Sequence, residues 1–298
     1  MNIKLLLPLV YCRVSDFLGG KLLFNKGASK NVSLEKKIKY GSEKVQFLEV
    51  HRPKNAEKPL PLMVYIHGGG FVSGSPCNRR ALCANLADGL NCVVGAVYYG
   101  LSPKIKFHEQ LENVYKAIAF LRENAAKYGA DDGEIIITGD SAGAHIAGIL
   151  AAIETLPEFR AKYYPEHEAQ YKVKMLLDIS GIFDATLAAN SGFPAINAYL
   201  SATSELSYKE LNDEEKTNFL SPARFVTADY PPTFLTIGDK DHFKEDELPF
   251  YATLQELGVK SGMYYGKGGA SVHDFIVYQG FKISKEALQA IIDFYKTL

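Results

Sequence analysis

Residues 134–153 read EIIITGDSAGAHIAGILAAI. Ile135-Ile136-Ile137-Thr138 is a short β-branched run, the composition of a strand buried on both faces. Ala142 to Ile153 is alanine-rich and reads as a helix. Between them, Gly139-Asp140-Ser141-Ala142-Gly143 fits the pattern Gly-x-Ser-x-Gly. A serine on so tight a strand-to-helix turn is forced outward at the end of a sheet, and flanking glycines let the crowded backbone pass. The helix N-terminus behind it offers unpaired N–H groups and the positive end of its dipole. Five residues of this kind arise by chance in about one chain in ten of this length, so the strand before and the helix after carry the weight. A glycine-bracketed helix cap is the structural alternative.

Outward from this turn the same rhythm repeats. Leu62 to Ile66, Cys92 to Val97, Val173 to Ile179 and Thr233 to Ile237 are further short apolar runs, and Val45 to Val50 alternates as a half-buried strand would. Leu111, Val114, Tyr115, Ile118 and Leu121 recur at helical spacing. So do Leu288, Ile291, Ile292 and Tyr295, behind Ser284 as a candidate N-cap. Buried strands alternating with helices predict a mostly parallel sheet flanked by helices. Two stretches break the rhythm, residues 155–172 and 182–222. The second is too long for a plain connection. We read it, together with about residues 1–40, as cap elements over one domain spanning 1–298.

His67-Gly68-Gly69-Gly70-Phe71 follows the strand at 62–66. Glycines there bring backbone N–H groups close to a substrate oxygen. The N–H groups of this glycine loop, with that of Ala142, are the candidate oxyanion donors. A phosphate-binding loop is the alternative, but no Lys-Ser/Thr follows and no GxGxxG is present. A serine hydroxyl needs a base, and the base needs an orienting acid. Of the histidines after Ser141, His145 lies one helical turn on, His167 sits in a polar insert, and His242 lies beside candidate acids. His273, in the loop Gly268-Gly269-Ala270-Ser271-Val272-His273 after a strand near Met263 to Tyr265, is the candidate base. The acid is expected after the strand at 233–237, in Gly238-Asp239-Lys240-Asp241. Asp241 is the candidate for the acid, and Asp239 the residue that would stabilise the turn.

These motifs together resemble the hormone-sensitive-lipase-like branch of the α/β-hydrolases, the bacterial family IV esterases. The resemblance covers about residues 44 to 298. It implies an α/β-hydrolase fold with a small helical cap and a catalytic triad of Ser141, Asp241 and His273. It also implies an oxyanion hole of Gly69, Gly70 and Ala142, and cleavage of small or short-chain acyl esters through an acyl-enzyme. Three places depart from the pattern. Tyr98-Tyr99-Gly100-Leu101-Ser102-Pro103-Lys104 stands where members carry Asp-Tyr-Arg-Leu-Ala-Pro-Glu. Ala144-His145 stands where Gly and Asn are frequent. Ser180-Gly181-Ile182-Phe183-Asp184 is similar to formamidase-like and sugar-ester-cleaving relatives. Amide or formamide hydrolysis and sugar-ester deacetylation are therefore the alternative reactions, and a hydrolase-fold binding protein is a third reading.

Composition agrees with a globular enzyme. The chain has 298 residues, 47% hydrophobic and 22% charged, with a net charge of -1. That charge offers no basic excess for nucleic acid. Cys12, Cys77, Cys83 and Cys92 form no CxxC pair and are expected as buried reduced thiols. No metal or organic cofactor is called for, the expected partner is a small ester, and a homodimer is left open. Leu5 to Val10 is short, interrupted by Pro8, and not followed by a small-x-small site. We read an amphipathic helix in which Leu9, Val10, Arg13, Val14, Phe17 and Leu18 recur, and a cytoplasmic protein, with a processed secretion signal as the alternative. No run of some 20 apolar residues, the length that spans a membrane, is present.

Overall fold

The computed structural model describes residues 3–19 and 23–298; within the first helix, the side chains of residues 3–6, 9, 11, 15 and 17 lie outside the described set. In chain order the elements are α1 (Ile3–Gly19), β1 (Val32–Lys39), β2 (Phe47–Pro53), β3 (Leu60–Ile66), α2 (Arg80–Leu90), β4 (Val93–Tyr98), α3 (Phe107–Glu123) and α4 (Ala125–Tyr128). They continue as β5 (Ala130–Asp140), α5 (Ala142–Thr155), α6 (Pro157–Tyr163), β6 (Lys172–Ile179), α7 (Ala185–Ala189), α8 (Ile196–Ser204) and α9 (Glu214–Thr217). The last are β7 (Thr233–Gly238), α10 (Lys244–Glu256), β8 (Ser261–Gly266) and α11 (Lys282–Tyr295).

The strands form one sheet in the order β1-β2-β4-β3-β5-β6-β7-β8. Only β1 and β2 run antiparallel to their neighbours; β4 through β8 are parallel. This is the mostly parallel α/β sheet that the sequence predicts. β3, β4, β5 and β6 are buried along most of their length, because helices cover both faces. One core packs α3 and α5 on one face, and a second packs α2 and α11 on the other.

Several expectations need correction. Residues 32–39, assigned above to the cap, form edge strand β1, paired with β2. β2 is buried nearly throughout rather than half-buried. The polar Glu49 is accommodated because Arg80 forks onto its carboxylate at 2.8 and 2.5 Å. Ser284 lies inside α11 and donates to Phe275 O at 2.9 Å instead of capping the helix. Cys83 and Cys92 are buried, but Cys12 and Cys77 are partly exposed, and none of the four is in a disulfide.

Helix α1 departs in part from its expected face. Val10, Val14 and Leu18 are about half exposed, whereas Tyr199 Oη donates to Pro8 O at 3.3 Å and Arg79 reaches Asp16 at 3.4 Å. Asp16 further accepts from Asn78 Nδ2 at 2.7 Å, and Arg13 Nε donates to Val72 O at 3.0 Å. Pro8, Cys12 and Asp16 recur at i, i+4, i+8, so the anchored face is the polar one. The expected packing of Leu9 and Phe17 lies outside the described side chains. No helix among the described residues is long and apolar enough to cross a membrane.

Candidate active site

The parallel sheet brings its strand ends to one edge, and the loops there carry the candidate residues. β5 ends at Asp140 and α5 begins at Ala142, leaving Ser141 alone on the turn with φ 51° and ψ -117°. Such a backbone costs on the order of 1–3 kcal/mol for a non-glycine residue and persists only where packing imposes it. Packing does so here: a Cβ on Gly143 would fall 2.0 Å from Ile66 O, so α5 can start only by grazing β3.

Ser141 Oγ lies 2.8 Å from His273 Nε2, and His273 Nδ1 lies 2.9 and 3.1 Å from the two oxygens of Asp241. Each side chain comes from a different loop, after β5, β8 and β7 respectively. Burial favours the neutral Asp241 carboxyl. The His273 charge and hydrogen bonds from His273 and the Phe243 N–H outweigh it and hold the pKa below the usual value. Burial likewise opposes a charged His273, but the carboxylates of Asp241 and Asp274 push its pKa up to about 9. Phe193 and Phe243 pack their rings 5.6 and 5.1 Å from the imidazole.

Asp239 takes the other role considered for it. Ser271 Oγ donates to its Oδ1 at 2.7 Å and the Gly268 N–H to its Oδ2 at 3.2 Å. It staples the loop that carries His273 rather than touching the imidazole. The remaining histidines are also placed. His67 and His145 are fully buried, their pKa values pushed down by burial to about 4. His67 stacks on Tyr99 and His145 meets Ile182 O at 2.9 Å. His167 pairs with Glu112 at 3.3 Å, and His242 is exposed.

Gly69, Gly70 and Ala142 line the same cavity, of about 410 Å³, as Ser141 and His273. Gly70 has φ +59°, and a Cβ there would come 2.7 Å from the Tyr199 ring. Val72 and Ser73 donate back to Gly69 O at 3.1 and 2.9 Å, which folds the loop into a turn. Two further contacts anchor this loop. Tyr99 Oη donates to His67 O at 2.9 Å, and Asp140 holds the loop from below.

Asp140 is the main feature that sequence reasoning missed. It is fully buried and accepts from Tyr65 Oη (2.6 Å), the Gly68 N–H (2.9 Å) and Arg79 Nε (2.7 Å). One carboxylate thus ties the glycine loop, the serine turn and α2 together. Its signal was available: an acidic residue at the end of a buried strand needs a cation. Asp274, which follows the candidate base, lies 3.6 Å from His273 Nε2.

The comparisons can now be set beside this geometry. The chain is 28% identical over 233 residues to Esterase LipI of Mycobacterium tuberculosis, covering 76% of this chain and 69% of that protein. It is 26% identical over 210 residues to Esterase LipQ of the same organism, covering 68% and 48%. For several of the curated relatives it matches, the aligned part spans 32% to 69% of their own lengths. Among solved structures, Esterase B from Lactobacillus rhamnosis superposes with a TM-score of 0.84 at 18% identity, covering 98% of this chain and 96% of that one. A bacterial heroin esterase superposes with a TM-score of 0.76 at 21% identity, covering 95% and 90%. These likenesses establish the α/β-hydrolase fold. The BD-FAE family model matches residues 48–246, which hold both glycine motifs, Ser141 and Asp241. With more than half of its length matched, the chain belongs to the BD-FAE family, among the esterase-type α/β-hydrolases that its motifs resemble.

Proposed function

We propose that the protein is a serine carboxylester hydrolase that cleaves small or short-chain acyl esters. The observation that carries this reading is the unbroken chain of contacts from Ser141 Oγ to His273 Nε2, and from His273 Nδ1 to Asp241. In the reaction His273 takes the serine proton as Oγ attacks the ester carbonyl. Asp241 fixes the tautomer and stabilises the imidazolium. The N–H groups of Gly69, Gly70 and Ala142 receive the developing oxyanion, each donor contributing about 3–4 kcal/mol to the barrier reduction. His273 then returns the proton to the alcohol oxygen as the C–O bond breaks. Water hydrolyses the acyl-enzyme by the same steps in reverse order. No cofactor or metal enters this scheme.

Helix α1 and residues 182–222 serve in this reading as the cap. Ile182, Phe193, Ile196 and Tyr199 from the second of these line the cavity beside Ser141. That apolar wall supports a short acyl chain over a polar acyl group. The reading is tested with a fluorophosphonate probe and a series of p-nitrophenyl esters. The probe is expected to label Ser141, with turnover highest from acetate to butyrate and falling for octanoate. A protein that is neither labelled nor active on any ester of the series would overturn it.

Two further results are expected. His273 must be neutral to accept the serine proton, and its pKa is raised to about 9. On p-nitrophenyl butyrate, kcat/KM should therefore fall about tenfold per pH unit below that value and level off above it. A profile flat between neutral and alkaline pH would show that the imidazole is not held up by its two carboxylates. Replacing Asp239 by alanine frees Ser271 and Gly268, loosening the loop under His273. A loss of about tenfold in kcat is expected, in line with misplacement rather than removal of a reacting group. Steady-state kinetics of Asp239→Ala against Asp241→Asn separates the two acids.

A further inference from the structure

Helix α1 turns two faces to different surroundings. Pro8, Cys12 and Asp16 meet the body of the protein through hydrogen bonds and an ion pair. On the other side Leu7 is 68% exposed, and Val10, Val14 and Leu18 are about half exposed. At 100° per residue these four positions fall within an arc of about 80°. Apolar side chains scattered singly on a surface need no explanation, but a continuous stripe of them marks a surface that something covers. Leu23, just beyond the helix, is 45% exposed. Leu18 and Leu23 also line the cavity that holds Ser141, so the stripe runs to its mouth.

The stripe has basic neighbours. Residues 1–60 carry twelve Lys and Arg against five Asp and Glu, although the chain as a whole has a net charge of -1. Part of this excess lies at the sheet edge that carries Ser141. Lys39, the last residue of β1, pairs with Phe47, and Phe47 pairs with Tyr98 at the end of β4. Lys39 and Lys44 are exposed there, with Glu43 between them in the turn. Lys104 is exposed two residues after Ser102, whose carbonyl accepts from Arg13 of α1 at 3.4 Å. Lys26 is exposed in the turn that follows Leu23. Size, charge and place together decide what covers the stripe. The helix has 17 residues and is about 25 Å long. With a face about 10 Å wide it offers about 250 Å², well short of the about 800 Å² that each partner of a stable protein pair buries. A rigid partner seated there would also close the cavity mouth. No helix among the described residues can cross a bilayer. An amphipathic helix instead lies in the plane of a bilayer surface, its apolar side chains among the acyl chains and its basic neighbours against anionic headgroups.

We propose that the α1 stripe and the lysines around it dock the protein onto an anionic lipid surface, with the mouth of the cavity turned toward the bilayer. The test sediments the whole chain with vesicles of phosphatidylcholine alone, or with about one third phosphatidylglycerol. The wild-type protein is expected to bind the anionic vesicles about tenfold more tightly than the neutral ones, and high salt should erase most of that difference by screening the lysines. Val10→Glu combined with Val14→Glu puts charge into the stripe at positions that do not line the cavity. It should weaken binding to anionic vesicles by about tenfold or more. Lys39→Glu combined with Lys44→Glu should remove most of the preference for anionic over neutral vesicles. All four positions are exposed, so the melting temperatures should stay near wild type and report that each variant is folded. A wild-type protein that stays in the supernatant with anionic vesicles at low salt would overturn the proposal. So would a stripe variant that binds as wild type does. A wild-type dimer in sedimentation equilibrium that the stripe variant turns into a monomer would overturn it too, because a second copy would then cover the stripe. These outcomes leave the ester reading untouched, since none of them depends on turnover.

Discussion

Ser141→Ala is expected to lower kcat on p-nitrophenyl butyrate by about 10⁴- to 10⁶-fold, the range set by losing the nucleophile of a concerted triad. The substitution removes one oxygen whose recorded contact is the 2.8 Å pair with His273 Nε2. The strained turn is imposed by Gly143 against β3 and not by the hydroxyl, so the fold should survive. Thermal melting should accordingly stay close to wild type. His273→Ala should match it in size, and the double variant should be no worse than either, because the two act as a unit. Asp241→Asn should cost about 10⁴-fold by favouring the wrong imidazole tautomer. A Ser141→Ala protein that kept even a hundredth of the wild-type rate would remove the basis of the proposed function.

These expectations trace how much the sequence made legible. Continuous apolar runs such as Leu62 to Ile66 are of strand length and rich in β-formers, and the five named in the sequence lie in parallel strands. β1 escaped because an edge strand facing water on one side carries Glu35, Lys36 and Lys37, and its burial pattern alternates only weakly. The choice between Asp239 and Asp241 could be argued only from turn geometry; in three dimensions Ser271 contacts Asp239 and His273 contacts Asp241. α1 misled for a related reason. Its apolar spacing was plain, yet Asp16 finds Arg79 and Asn78 across sequence gaps that no local pattern reveals. Long-range ion pairs are invisible to periodicity; at Asp140 an acidic residue closing a buried strand signals a cation but does not say that it is Arg79.

Asp140→Ala is expected to be the most destabilising single change at the site, at about 3–5 kcal/mol, the cost of stranding a buried charge. Arg79 is 4% exposed and loses its 2.7 Å partner, keeping Asp16 at 3.4 Å. Tyr65 Oη and the Gly68 N–H lose their acceptor at the same time. For a chain of this size the melting temperature should fall by on the order of 10 °C. The damage should also reach the chemistry. Gly68 precedes the two glycines proposed to hold the oxyanion, and releasing it should cost about 10²-fold in kcat, toward the effect of deleting an oxyanion donor. Asp140→Asn keeps an acceptor but not the charge, and should fall between. Arg79→Met in the Asp140→Ala background removes the stranded cation. It should recover a good part of the stability, since removing both partners of a buried pair is milder than removing one. It should recover little of the rate, because Gly68 still has nothing to hold it. Thermal melts and kcat on wild type, Asp140→Ala, Arg79→Met and the double variant form the cycle. Additive stability effects would show that Arg79 and Asp140 are not coupled, and recovery of full activity in the double variant would show that Asp140 acts on stability alone and does not brace the glycine loop.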